Sequence, residues 1–293
     1  MTLYRNRNCP LNFYIDLSIL KDTNQSNLLN KCAKNMDNFI LTEIIGSGSS
    51  GTVWSGSCIF KEISKKRKRT QIDNVIEIAV KISIVSKDLF EKSFLEVDFN
   101  YYMSEIGLGP KIYDAFFIQD PKRSLYISQF IIMEPFDFNC SVALKNSTFN
   151  EKTIIVHKMI NLLKSSIFDH DIFCSDIKPS NFVLKKLPNG DIIVKMIDFD
   201  AKYCLIKSED LFYGHRFPLD LKKNVFYFIE LLQLYLFIDD PLKDLFNFKG
   251  LKNYGDIIID FIYNIKEPDI KQFLHYHPNF TKKMMIDLFR RTL

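Results

Sequence analysis

From Asp37 onward, apolar and polar positions along this chain fall into strand-like stretches. Phe39–Ile45, Thr52–Phe60 and Val75–Ile84 are rich in isoleucine, valine and aromatic residues and are separated by Gly/Ser and Lys/Arg turns, which predicts three strands. The period then changes. Leu89, Phe90, Phe94, Leu95, Val97 and Tyr101 recur at helical spacing within Lys87–Ser104, so a helix follows. Two more strands are expected near Lys111–Phe117 and Ser124–Met133. Pro135 and the polar stretch after it mark a hinge, beyond which helical spacing dominates in Glu151–Asp169, in Leu221–Ile238 and in shorter segments up to Leu293. One hairpin interrupts it, Phe182–Leu184 with Ile192–Met196 about the turn Leu187–Asp191. Residues 1–37 are polar, rich in Asn and Lys, and read as an irregular N-terminal extension. The chain shows no internal repeat and no low-complexity tract.

Composition narrows the class. With 293 residues, 47% apolar and 25% charged, the chain can bury a large core and suits one two-lobed unit or two small domains. Its 27 Phe and 13 Tyr argue against extensive disorder. A net charge of +4 is too mild to imply general nucleic-acid binding. The six cysteines lack CxxC pairs or metal-ligand spacing and read as reduced thiols of an intracellular, cytoplasmic protein. The five histidines are dispersed and also lack metal spacing. Asp16 interrupts the apolar stretch Leu11–Leu20, which speaks against a secretory signal. The longest apolar run, Val225–Ile238, is too short to span a bilayer and contains Glu230 and Gln233, so a buried helix is expected there.

Local chemistry changes the picture most. Gly46-Ser47-Gly48-Ser49-Ser50-Gly51-Thr52-Val53 is a glycine-rich loop between two predicted strands, whereas a dinucleotide-binding loop would lead into a helix. Glycines here let backbone N–H groups close over phosphates without Cβ interference; a simple hairpin turn is the alternative. Lys81 lies on a strand thirty residues beyond Gly51. Its ammonium suits the α- and β-phosphates of a nucleotide if a carboxylate fixes it, and Glu96 on the following helix is the expected partner. A strand-end lysine facing water is the plainer alternative.

The second cluster is Ser175-Asp176-Ile177-Lys178-Pro179-Ser180-Asn181-Phe182, followed by Met196-Ile197-Asp198-Phe199-Asp200. Asp176 suits a group that orients or accepts the proton of an attacking hydroxyl. Lys178 would stabilise charge on a transferring phosphoryl group. Asn181 and Asp198 offer hard oxygens to magnesium. All these elements occur in the order a protein kinase requires.

Over residues 38–290 the chain resembles the eukaryotic-type protein kinases, and its narrower likeness is to the casein kinase 1 and vaccinia-related-kinase branch. Asp176–Phe182 resembles that branch's catalytic loop, Ile197–Tyr203 resembles its metal-binding stretch, and Glu96 followed by Gly107-Leu108-Gly109-Pro110 matches its spacing. The resemblance implies an α+β, bilobal fold: an N-terminal lobe (38–134) with a five-stranded antiparallel sheet and one helix, and a mainly α-helical C-terminal lobe (135–293). It implies ATP and Mg2+, transfer to Ser or Thr of protein substrates, and no membrane span. Gly46, Ser47, Gly48, Ser49, Gly51 and Val183 join the nucleotide-binding set. By the same likeness Val53 and Ala79 sandwich the adenine, Met133 is the gatekeeper, and Glu134–Phe136 is the hinge that hydrogen-bonds it.

Some positions depart from that pattern. Cys174 and Ser175 replace the His-Arg pair before the catalytic aspartate, which removes the guanidinium partner of a phosphorylated activation loop. Asp200 replaces a glycine, and Asn100 is polar one turn after Glu96. No Ala-Pro-Glu motif follows Asp198. The divergence, with the Asn/Lys/Ile/Phe-heavy composition, is similar to kinases of large DNA viruses, which would place the protein in host cytoplasm or virion. Two other readings stand beside an active kinase: a pseudokinase that binds nucleotide or a partner without turnover, and a small-molecule phosphotransferase. Lys65-Lys66-Arg67-Lys68-Arg69 reads as a solvated loop, with a nuclear-localisation signal or anionic docking patch as the alternative.

Overall fold

A computed structural model describes residues 14–16, 25–33, 36–48, 51–60, 74–119, 126–174, 176–199, 203–205, 219–246, 248, 259, 283 and 286. The chain is α+β and divides into two compact units, Met1–Phe136 and Asp137–Leu293.

In the first unit β1 (Tyr14–Asp16) and α1 (Gln25–Cys32) precede β2 (Met36–Gly48), β3 (Gly51–Phe60) and β4 (Asn74–Ser86). A single 3-10 turn at Lys87–Leu89 leads into α2 (Phe90–Glu105), and β5 (Ile112–Gln119) and β6 (Tyr126–Met133) complete the unit. The sheet order is β1-β5-β6-β4-β3-β2. β2 to β6 form five antiparallel strands, and β1 joins the edge of β5 in parallel. The three β-rich stretches and the helix after them thus take the elements their periodicity predicts.

The strands alternate between two cores because successive side chains point to opposite faces. On one face Val97 of α2 packs with Ile112, Ala115, Phe117, Ile127 and Ile131, and Phe90, Phe94 and Tyr101 close over them. On the other, Ile78, Val80, Ile82, Phe116, Phe130 and Ile132 meet Leu29 and Cys32 of α1. This corrects the expectation of an irregular stretch before residue 38. Leu29 and Cys32, three apart on one helical face, are fully or nearly fully buried, and the Asn30 side chain accepts the Phe39 N–H at 2.9 Å. One short helix with so few apolar residues gives almost no periodic signal; the sheet face that needs covering decides its conformation.

The second unit runs β7 (Phe138–Asn139), α3 (Cys140–Asn146), α4 (Phe149–Phe168), β8 (Ile172–Cys174), a 3-10 turn at Pro179–Asn181, β9 (Phe182–Lys186), β10 (Ile192–Met196), β11 (Tyr203–Leu205), α5 (Leu219–Tyr235) and α6 (Asp240–Lys243). α4 begins on a reciprocal cap in which Thr148 and Glu151 bond each other's backbone N–H groups. Its apolar stripe Ile155, Met159, Leu163 and Ile167 is fully buried. Cys174 ends β8, whose partner is β11, and Asn181 leads directly into the β9–β10 hairpin. No helix among the described residues is long and apolar enough to cross a membrane.

Candidate functional site

The glycine-rich stretch is the tip of the β2–β3 hairpin, where Gly46 pairs with Val53, Ser47 with Thr52 and Gly48 with Gly51. Ser49 lies outside the described residues. The glycines are not equivalent. Gly51 has φ +137°, and a Cβ there would fall 2.3 Å from the Ile82 carbonyl oxygen, so only glycine fits. A Cβ on Gly48 would meet open space, and one on Gly46 would make ordinary contact with Val53.

Register then assembles one face of the sheet. Val53 lies opposite Lys81, and Ala79 lies opposite Met133. Because Ala79 and Lys81 are two apart, all four side chains emerge on the same side. From that face Lys81 Nζ reaches Glu96 Oε1 on α2 at 2.8 Å, and both side chains are largely buried. Glu96 is therefore Lys81's partner. Asn100, one turn on, is buried, and its amide donates to the Glu96 carbonyl at 2.8 Å, so its polarity is satisfied within the helix. Glu134 uses both its backbone N–H and its Oε1 on Lys111, at 2.9 and 2.7 Å. Pro135 and Phe136 close this unit, half-buried.

In the second unit Asp176, Lys178 and Asn181 come together around one carboxylate. Lys178 Nζ lies 2.9 Å from Asp176 Oδ2. Asn181 Nδ2 donates to the Asp176 carbonyl at 3.0 Å and faces Oδ2 at 3.4 Å. The Asn181 carbonyl accepts the Ile197 N–H at 2.9 Å, which brings the residue before Asp198 against this cluster. Asp198 has φ +67°, a left-handed conformation that aspartate tolerates better than most side chains. Val183 sits half-buried on β9, opposite Lys195. Beside Lys178 and Ser180 opens a cavity of about 310 Å³, walled by Leu144, Lys145, Phe237 and Asp239.

Cys174 is buried, and its Sγ accepts the Asp176 N–H at 3.5 Å. Ser175, Asp200 and the basic run Lys65–Arg69 lie outside the described residues. Burial pushes the Cys140 thiol up to about 12; burial and then nearby Asp37 push Cys58 up to about 11. Neither is a thiolate nucleophile near neutral pH. No cluster of His, Cys, Asp and Glu able to hold a metal occurs among the described residues. A cation here would need the amide oxygen of Asn181, a hard donor of another residue type.

Two residues that motif reading passed over bear directly on this segment. Glu230 Oε1 accepts the Cys174 N–H at 2.7 Å, and Gln233 Oε1 accepts the Ile177 N–H at 2.6 Å. Their sequence signal was the pair of polar residues inside the otherwise apolar run Val225–Ile238. No protein-family model matches this chain, and no curated protein matches it.

Proposed function

We propose that this protein is a serine/threonine protein kinase of bilobal kinase-like architecture that transfers the γ-phosphoryl group of ATP to protein hydroxyls. The observation that carries this reading is the single hydrogen-bonded cluster of Asp176, Lys178 and Asn181. An acceptor hydroxyl beside Asp176 forms its bond to the γ-phosphorus while the bond to the β,γ-bridging oxygen breaks. That oxygen leaves with ADP, carrying the electron pair, and the hydroxyl proton passes to the Asp176 carboxylate. Lys178 balances charge on the phosphoryl oxygens. Lys81, fixed by Glu96, anchors the α- and β-phosphates.

Magnesium fits the donor set. Asn181 engages Asp176 through Nδ2, which leaves Oδ1 to face a cation, and Asp198 adds a carboxylate on the adjoining strand end. Two hard oxygens, completed by phosphates and water, match magnesium's habit of taking few protein ligands. When bound, it neutralises charge on the phosphate oxygens. The cavity beside Lys178 and Ser180 would hold part of an acceptor chain rather than the nucleotide.

The test is ADP release and protein labelling by wild type and Asp176→Asn. The variant should fold normally and lose about 10²–10⁴-fold in kcat. Intact transfer by the variant sinks the mechanism. ATP-dependent stabilisation of a wild type that never turns over would instead indicate a nucleotide-binding module.

A further inference from the structure

We propose that Glu230 and Gln233 are positioning residues that, from one turn of α5, hold the backbone at Cys174 and at Ile177, on either side of Asp176, and thereby set the aim of the Asp176 carboxylate. This inference rests on the kinase reading of Asp176.

The N–H groups of Asp176, Ile177 and Lys178 precede the 3-10 turn at Pro179–Asn181 and belong to neither helix nor strand. Backbone N–H groups buried in such a segment need partners from elsewhere. The Ile177 N–H of this segment, and the Cys174 N–H at the end of β8 before it, find acceptors on one helix 56 residues away in sequence, on either side of Asp176. Glu230 and Gln233 are three apart and so lie on the same helical face. Glu230 is completely buried and Gln233 99% so, and neither bond is open to competition from water.

A carboxyl at Glu230 is an expensive way to fill a core, since burying one without full pairing costs several kcal/mol. Its Oε2 has no hydrogen-bond partner among the described residues. An apolar residue of similar size would pack there at lower cost, but it could not accept the Cys174 N–H. Burial also pushes the Glu230 carboxyl well above the usual carboxylate range, and the acceptor it offers the Cys174 N–H is one that a glutamine side-chain oxygen of the same reach can supply. Gln233 supplies the matching acceptor beyond Asp176. The pair thus ties the end of β8 and Ile177, on either side of Asp176, to one helix. A shift of about 1 Å at a reacting group is enough to lower a rate about 10²-fold.

The experiment compares Glu230→Met, Gln233→Met and Glu230→Gln in the full chain, at a temperature where circular dichroism shows each folded. The two Met variants keep the volume and remove the acceptor. They should lower kcat about 10–100-fold with KM for ATP within about twofold, and Glu230→Gln should restore most of kcat. Folded Met variants with wild-type kcat overturn the proposal. So does a Glu230→Gln variant as poor as Glu230→Met.

If the Met variants fail to fold, amide hydrogen exchange of the wild type decides. Protection at Cys174 and Ile177 equal to that of α5 amides supports the clamp, and loop-like exchange there overturns it. Exchange protection is read without turnover. A wild type with no phosphoryl transfer therefore defeats the kinase reading and leaves the clamp separately measurable.

Discussion

The Lys81–Glu96 pair and the Asp176–Lys178 pair are both lysine–carboxylate contacts, at 2.8 and 2.9 Å, yet they are positioned by opposite means. Lys81 stands in a strand with ladder partners on both sides, and Glu96 stands on the helix that packs against that sheet. Their meeting follows from regular elements close together in sequence. Asp176 and Lys178 flank Ile177, whose backbone N–H bonds the Gln233 side chain 56 residues away. The first pair depends on packing of regular structure, the second on a few polar contacts buried in a helix core. Sites of the second kind are vulnerable to single substitutions that leave the fold in place.

The sharpest way to break this comparison is at Lys81. Lys81→Met should lower kcat/KM about 10²–10³-fold, as loss of one electrostatic anchor does, and Glu96→Gln should approach it. Because the residues act as a unit, the double variant should be scarcely worse than the worse single one. Additive losses in phosphotransfer assays would show that the ion pair is not what positions the lysine.

A smaller effect, on stability instead of rate, probes how tightly regular structure fixes the first pair. Gly51→Ala must relieve both a positive φ and a Cβ clash with the Ile82 carbonyl, which should cost roughly 2–5 kcal/mol in urea denaturation. Gly48→Ala, facing open space, should leave the urea midpoint almost unchanged.

The smallest effect concerns the cap of α4 in the second unit. Bonds from Lys186 and then from Thr148 hold the Glu151 carboxyl low, at about 2 against an ordinary 4.5. Its folded-state value lies below its unfolded one, so its contribution is full above about pH 4.5 and is lost as pH falls toward 2. The gap in thermal midpoint between wild type and Glu151→Gln should narrow over that window. A gap that widens with acid would contradict the assignment.

Much of the first unit was legible because its signals are local. β-branched runs, Gly/Ser turns and a change of period at Lys87 mark the strands and the helix. The partnership of Lys81 with Glu96 followed from placing those elements. α1 was not legible, because Leu29 and Cys32 are too few to form a periodic stripe. Nor were the short β7, β8 and β11, which exist only through pairing with other strands. Glu230 and Gln233 could be read only as interruptions of an apolar run. Their purpose depends on a contact with a segment 56 residues earlier.

By itself the sequence determined the succession of strand-like and helical stretches along the first unit and the placing of Glu96 on the helix after Lys81's strand. Those are consequences of side-chain periodicity and spacing along a few dozen residues. The tertiary structure alone decided which sheet face α1 covers, which glycine the hairpin cannot exchange and which helix holds the Asp176 segment. Each of these depends on the proximity of residues distant in sequence, and hydrophobic periodicity carries no record of that.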